Sequence, residues 1–149
     1  MTYARAVATT LIAFFVSQLL AVAVHGFILA GDYAPYYGRL LRNEPGAPAL
    51  FLPIAHLSFI SSLVWIYGRL SLEGSHVVRG LTLGLAAWAV GEVPLWLRWY
   101  AEQPWPGDLV VKQLGLELLS SLILGLTIAF TARLPEVGSR VAAAARTEA

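Results

Sequence analysis

The sequence predicts an all-α membrane protein, a four-helix transmembrane bundle, and two observations carry that prediction. The first is composition: 58% of the 149 residues are hydrophobic and 13% are charged, whereas soluble domains carry about 25% charged residues. The second is the grouping of apolar residues into four long stretches. Each stretch approaches the ~20 residues that a helix needs to cross ~30 Å of hydrocarbon. A barrel would need about eight strands of alternating polarity, so we expect helices.

The predicted spans are residues 7–30, 50–67, 81–100 and 109–132. They form one transmembrane domain, residues 1–134, and a cytoplasmic tail rich in alanine and arginine follows it, residues 135–149. The first stretch is too long for the apolar part of a typical secretory signal, so we interpret it as a retained span. The loop of residues 31–49 mixes tyrosines, leucines, arginines and prolines, which suits a segment lying among lipid headgroups.

A tight turn joins the last two spans. Pro104 and Pro106 end the third helix, and Asp108 is predicted to cap the fourth. Aromatic residues concentrate around this turn, as they do at membrane–water interfaces: Trp96, Trp99, Tyr100 and Trp105.

The distribution of basic residues predicts the orientation, because cytoplasmic loops carry the excess of Lys and Arg. The side with both termini holds six arginines: Arg5, Arg69, Arg79, Arg133, Arg140 and Arg146. The other side holds four basic residues: Arg39, Arg42, Arg98 and Lys112. We therefore expect both termini in the cytoplasm. The span pattern resembles that of small four-helix bacterial membrane proteins, so the expected location is a bacterial inner membrane.

Composition also excludes several function classes. The net charge of +1 gives no basic surface for nucleic acid. The absence of cysteine excludes disulfides, thiolate metal sites and thiol catalysis. The sequence contains no Gly-rich phosphate loop, HExxH or GxSxG motif. The serine pairs within the spans are better explained as interhelical hydrogen-bonding groups than as nucleophiles, so a non-enzymatic role is favoured. His76 is interpreted as a solvated residue of a short cytoplasmic loop.

Ionisable residues inside the spans indicate a candidate site, because charge in hydrocarbon costs several kcal/mol and needs a reason. His25, His56, Glu92 and Glu117 come one from each span, at similar predicted depth. They lie roughly 8–12 Å below the surface opposite the termini, at about 1.5 Å per residue. Four such groups near one level predict an intramembrane polar cluster.

The spacing of polar residues along each helix adds members to this cluster, and at His56 it disagrees with the depth argument. On the fourth span Gln113, Glu117 and Ser121 share a face, and on the first span Gln18 shares a face with His25. On the second span, the polar residues form a stripe on the side of the helix roughly opposite His56. His56 is therefore expected to face away from that stripe, unless Pro53 changes the direction of the helical turn that carries it. That stripe comprises Ser58, Ser61, Ser62, Trp65 and Arg69.

Two features of the third span concern its shape and packing. Pro94 predicts a kink beside Glu92, because proline removes one intrahelical hydrogen bond and displaces the carbonyl four residues earlier. Small residues of the third span also share one face of the helix, and such a face lets another helix approach closely. We favour packing inside the bundle over an oligomer interface for this face, which comprises Gly80, Gly84, Ala87 and Gly91.

Three functions are compatible with these patterns. The favoured one is a non-catalytic accessory or structural subunit of a larger membrane complex, with the bilayer and partner subunits or further copies of the chain as its partners. The second is a proton-coupled or small-solute transporter that uses Glu92 and Glu117. The third is a protein that binds a metal, haem or pigment through His25, Glu92 and Glu117. No cofactor is required by the sequence, and helical di-metal sites usually carry a Glu-x-x-His spacing that is absent here.

Overall fold

A computed structural model of the protein describes residues 1–42, 46–70 and 73–133. Within these residues the chain is helical and contains no strand, and four helices are long and apolar enough to cross a membrane. A short helix, α2, follows the first of them. The helices are α1 (Tyr3–Ile28), α2 (Ala30–Tyr33), α3 (Pro48–Arg69), α4 (His76–Glu102) and α5 (Gly107–Thr131). The predicted all-α fold with four candidate spans is therefore confirmed. The predicted tail, residues 135–149, lies outside the described residues.

Two helix starts differ from the prediction. Helix α4 begins at His76 rather than near residue 81, because the Ser75 hydroxyl caps it by accepting the N–H of Val78 at 3.3 Å. The interpretation of His76 as a loop residue was therefore wrong. Helix α5 begins at Gly107 after Pro106, so Asp108 lies in its first turn instead of capping it. A carboxylate in that position still interacts favourably with the helix dipole.

The closest helix contact is between α4 and α5, where glycines let the two backbones meet. A Cβ atom on Gly80 would lie 2.9 Å from the Cα of Leu126, and one on Gly84 would lie 2.8 Å from the Cα of Leu122. Gly125 on α5 faces the same contact, since its Cβ would lie 2.6 Å from the Gly84 nitrogen. The small-residue face thus packs inside one chain at Gly80 and Gly84.

The interior holds two apolar clusters at different levels. One lies towards the ends of the spans that carry the termini: Ala13, Ile60, Leu63, Val64, Leu83, Ala87, Leu124 and Ile128. The other lies at the opposite end, under α2 and the α4–α5 turn: Val24, Leu29, Tyr33, Trp96, Trp105, Leu109 and Val110. Two of the aromatic residues predicted at the membrane interface, Trp96 and Trp105, therefore also fill an internal core and are almost fully buried.

Helix α3 faces the bundle with a different side from the one predicted. Ile60 and Val64 are buried, whereas Ser61 and Ser62 are exposed. The Ser61 hydroxyl donates to the Leu57 carbonyl at 2.7 Å, and the Ser62 hydroxyl donates likewise within its own helix. Serines bonded to their own backbone need no partner helix. The predicted interhelical hydrogen-bonding role of these two serines was wrong for that reason.

Candidate functional site

His25 and Glu92 both lie in π-helical segments, which are uncommon and often occur at functional sites. The last part of α1, Val22–Ile28, is π-helical, and the N–H of Leu29 bonds to the Val24 carbonyl at 2.8 Å. In α4 the segment Trp88–Glu92 is π-helical, and the N–H of Val93 bonds to the Trp88 carbonyl. Two of the four predicted intramembrane residues are thus presented by widened turns.

The π-helical segment of α4 occurs where the sequence predicts a kink. Pro94 has no N–H to donate, and its ring crowds the Val90 carbonyl. The wide turn ends at Glu92, immediately before the helix resumes at Val93. The proline therefore explains a local change of helix type, and Glu92 is the last residue of the changed segment.

Tyr33 of α2 enters the site from the loop, although the sequence indicates only an interfacial tyrosine. Its side chain is 7% exposed, its ring stacks on His25 with centroids 6.0 Å apart, and it meets Trp105 edge-on. Burial raises the pKa of Tyr33 above its ordinary value, and the nearby Glu117 charge raises it further. The hydroxyl therefore keeps its proton and acts as a hydrogen-bond donor.

Four side chains form a closed hydrogen-bonded ring, and we call Tyr33, His25, Gln113 and Glu117 the polar ring. Tyr33 donates to Gln113 Oε1, and the amide nitrogen of Gln113 donates to Glu117 Oε1 at 2.8 Å. The same Glu117 oxygen lies 3.1 Å from His25 Nε2, and His25 Nδ1 lies 3.3 Å from the Tyr33 hydroxyl. The ring satisfies the buried amide of Gln113, which is 0% exposed.

The donors in the polar ring leave one proton with two possible positions. Tyr33 gives its only hydroxyl proton to Gln113, so its oxygen must accept the Nδ1–H of His25. Between His25 Nε2 and Glu117 Oε1 one further proton is then required. Either an imidazolium faces a carboxylate, or a neutral imidazole accepts from a protonated carboxyl group. Both states keep the same partners and differ only in where that proton lies.

Glu92, His56 and Gln18 lie beside the polar ring. Gln18 Nε2 lies 3.2 Å from His56 Nδ1, which joins α1 to α3. His56 interacts electrostatically with Glu117 and His25, and so does Glu92. The predicted convergence of the four residues therefore includes His56, because α3 faces the bundle with the side opposite its serines. Glu92 is half-buried, and among the described residues it has no hydrogen-bond partner.

Ser121 was assigned to the polar cluster, but the structure places it elsewhere. It is buried on α5 where the helix meets Gly84, next to Leu122 and one turn before Gly125. Its side chain makes no hydrogen bond to the polar ring within the described part of the chain. Another residue, Trp88, instead ties α4 to α5 at this level, since its indole N–H donates to the Leu114 carbonyl at 2.9 Å.

The surroundings of the polar ring differ on its two sides. Towards the loops, Lys112 of α5 bonds Asp32 of α2 at 2.9 Å, which holds α2 over the ring, and the His25 side chain is 41% exposed. Towards the termini, the apolar cluster around Ile60 and Ile128 fills the interior. The ring is therefore closer to the surface on the loop side than on the side of the termini.

A metal site gains no geometric support from these positions. Among the described residues, no group of three or more His, Asp or Glu side chains is arranged to hold one metal ion. The polar ring also uses both nitrogens of His25 for hydrogen bonds to protein groups. A haem- or pigment-binding role for His25 stays a prediction.

Comparison with known proteins adds no assignment: no family model, no curated protein and no solved structure matches this chain. Any functional conclusion must therefore come from the site.

Proposed function

We propose that this chain is a small proton-coupled membrane carrier, in which the His25–Glu117 pair binds and releases the coupling proton. The observation that carries the proposal is the single proton required between His25 Nε2 of α1 and Glu117 Oε1 of α5, which lie 3.1 Å apart. Moving that proton between Nε2 and Oε1 changes the charge of each group without breaking their contact, so the pair can accept a proton at one group and pass it on from the other. A group that can change charge at low structural cost inside a membrane suits a proton relay.

Glu92 supplies the second part of this proposal. It lies within reach of the Glu117 charge, on a π-helical turn, and has no hydrogen-bond partner among the described residues. A carboxyl group in that situation accepts a proton or a small polar solute without first breaking a bond. We therefore assign the exchange of the proton to the Glu117–His25 pair and the coupled binding step to Glu92.

The direction of access follows from the surroundings of the polar ring. The ring is near the loop side, where Tyr33 and the Asp32–Lys112 pair cover it. The basic residues favour termini in the cytoplasm of a bacterial inner membrane. With that orientation, protons enter from the outside past Tyr33, and the apolar cluster around Ile60 is the barrier that opening must displace.

Proton flux into sealed vesicles tests the proposal. The purified full chain is reconstituted in vesicles containing a pH-sensitive dye, and a potassium gradient with valinomycin supplies the driving force. We expect the wild type to carry protons, and Glu117→Gln to reduce the rate at least about tenfold, as loss of a positioned acid–base group does. Glu102→Gln is the matched control, because Glu102 is an exposed acid at the end of α4.

Equal rates in the wild type, Glu117→Gln and protein-free vesicles would reject the carrier function for the chain alone. Equal loss in Glu117→Gln and Glu102→Gln would instead show that the rate does not depend on this site. Circular dichroism of each reconstituted variant excludes unfolding as the cause.

A second candidate is the accessory subunit of a larger membrane complex, and one surface favours it. Gly115 of α5 faces outward, with nothing within 4 Å of a Cβ added to it. It lies in a groove of about 530 Å³ between α1 and α5, whose walls include Ile28 and Leu119. A groove with a glycine in its floor lets a partner helix approach closely.

Gentle extraction followed by native mass spectrometry separates the two candidates. A subunit co-migrates with larger proteins, and Gly115→Leu removes them while leaving the chain folded. A carrier that acts alone appears as the bare chain or a homo-oligomer, and Gly115→Leu leaves its proton flux unchanged.

A further inference from the structure

The end of the bundle that carries the termini is rich in cations. Its described residues include four arginines and one histidine, with a single acid, Glu73, in the exposed loop before α4. The cations are Arg5, Arg69, His76, Arg79 and Arg133. At the opposite end acids and bases are closer to balance among the described residues: the bases are Arg39, Arg42, Arg98 and Lys112, and the acids are Asp32, Glu102 and Asp108. Lys112 bonds Asp32 there, and Arg98 bonds Glu102. Among the described residues, the excess of positive charge is thus larger at the end with the termini.

Three of these cations converge, and we call His76, Arg79 and Arg133 the cation cluster. His76 lies in the first turn of α4, Arg79 lies one turn further along, and Arg133 follows the last turn of α5. His76 feels repulsion from both arginines. The backbones of α4 and α5 approach closely at Gly80, the residue after Arg79, so these ends of the two helices lie side by side. Arg79 and Arg133 thus place positive charge at this junction, and His76 lies within the reach of both.

Two nitrogens of the cation cluster are shielded from solvent and have no partner. Arg79 Nε and His76 Nδ1 make no hydrogen bond within the described part of the chain. Shielded polar nitrogens without a partner are rare and need an explanation. A guanidinium group presents a planar set of donors that matches the oxygens of a phosphate group. One anion between the two helices would satisfy both the donors and the charge.

We propose that the cation cluster binds the phosphate group of an anionic phospholipid. The phosphate chemistry follows from the donors, and the lipid source follows from the position. The cluster lies at the ends of two spans, beside the exposed apolar side chains of Val78 on α4 and Phe130 on α5. An acyl chain running along these residues places its headgroup at the level of Arg79. Basic sites between spans at the cytoplasmic surface bind anionic headgroups in this way.

Lipid-dependent stability tests the site. The full chain is reconstituted in phosphatidylcholine vesicles with or without phosphatidylglycerol, and the midpoint of thermal unfolding is followed by tryptophan fluorescence. We expect phosphatidylglycerol to raise the midpoint of the wild type by about 3 °C, the scale of a modest binding energy for a chain of this size. Arg79→Gln with Arg133→Gln should abolish the rise. Arg98→Gln, at the opposite end, should retain it. So should Glu136→Gln, which removes an acid of the predicted tail, residues 135–149.

The following results would overturn the proposal. An equal rise on adding inorganic phosphate to phosphatidylcholine vesicles would assign the site to a free anion rather than to a lipid. No rise in the wild type, or an equal rise in the double variant, would remove the site. A rise that increases in Glu136→Gln would show that the chain's own carboxylate occupies the cluster. If the double variant does not fold, His76→Gln replaces it with the same expectation.

Discussion

Tyr33 connects the loop to the membrane-embedded charges through one hydroxyl group. Its proton goes to Gln113, and its oxygen receives the Nδ1–H of His25. The direction of these two bonds selects the tautomer of His25 and leaves Nε2 to face Glu117. Tyr33 therefore acts on the Glu117–His25 pair without touching Glu117 through its hydroxyl, and it is a positioning residue.

Removing the Tyr33 hydroxyl should change how stability depends on alkaline pH. Burial raises the pKa of Tyr33 in the folded chain, whereas the unfolded chain releases that proton near pH ~10. Above about pH 10 the unfolded state therefore binds fewer protons than the folded state, and stability falls as pH rises. Tyr33→Phe should flatten this fall. Urea unfolding of wild type and Tyr33→Phe between about pH 8 and 11 measures it. Identical slopes would place the hydroxyl outside the folded core.

The two intramembrane acids should respond differently to neutralisation. Glu92 has no hydrogen-bond partner among the described residues, so Glu92→Gln removes the cost of a half-buried carboxyl group and should leave stability unchanged or raise it by up to about 1 kcal/mol. Glu117→Gln disrupts the polar ring beside His25 and should lower stability by about 1–3 kcal/mol. Reversible unfolding in mixed micelles measures both. A larger loss in Glu92→Gln than in Glu117→Gln would reverse the assignment of the paired acid.

At the scale of elements, the contact between α4 and α5 depends on three glycines. Added methyl groups at Gly84 would press into the backbone of α5, since the Cβ would lie 2.8 Å from the Leu122 Cα. We expect Gly84→Ala to destabilise the protein by about 1–3 kcal/mol, the usual cost of overpacking. Gly115→Ala is the matched control, because nothing lies within 4 Å of its Cβ and alanine favours the helix.

The stabilities of Gly84→Ala and Gly115→Ala are compared by the denaturant concentration at the midpoint of unfolding. The comparison requires that the dependence of the unfolding free energy on denaturant concentration is the same in both variants. A smaller loss in Gly84→Ala than in Gly115→Ala would show that α4 and α5 do not meet at Gly84. The comparison is informative because both glycines lie inside apolar spans and differ chiefly in what surrounds them.

The helical content and the four spans could be predicted from the sequence because hydropathy measures the free energy of transferring a segment to lipid. That free energy is a property of each segment by itself. It failed where the answer depends on neighbouring helices. The serines of α3 are polar, yet they face outward because their own backbone satisfies them. Phase arguments also assume ideal α-helix, so the π-helical segments at His25 and Glu92 were not predicted. Tyr33 was missed as a ring member because its position depends on how the loop folds back over α5.

At the scale of the whole molecule, charge and polarity are segregated along the bundle. The polar ring lies nearer the end with Tyr33 and Lys112, and the cation cluster lies at the end with the termini. The apolar cluster around Ile60 and Ile128 separates them. The two proposed sites therefore lie towards opposite faces of the membrane. The orientation of the chain then decides which compartment supplies protons to the polar ring.

Cysteine labelling determines that orientation directly, because the chain contains no cysteine of its own. Glu73→Cys, in the exposed loop before α4, and Glu102→Cys, at the other end of α4, report opposite faces. With the termini in the cytoplasm, a membrane-impermeant maleimide added to intact cells should label Glu102→Cys and spare Glu73→Cys. Permeabilised cells should label both, which controls for reactivity. The reverse pattern would place the polar ring on the cytoplasmic side and the cation cluster outside, where the excess of Lys and Arg is not expected. It would then reverse the direction of proton entry, because access to His25 and Glu117 belongs to the loop end of the bundle in either orientation.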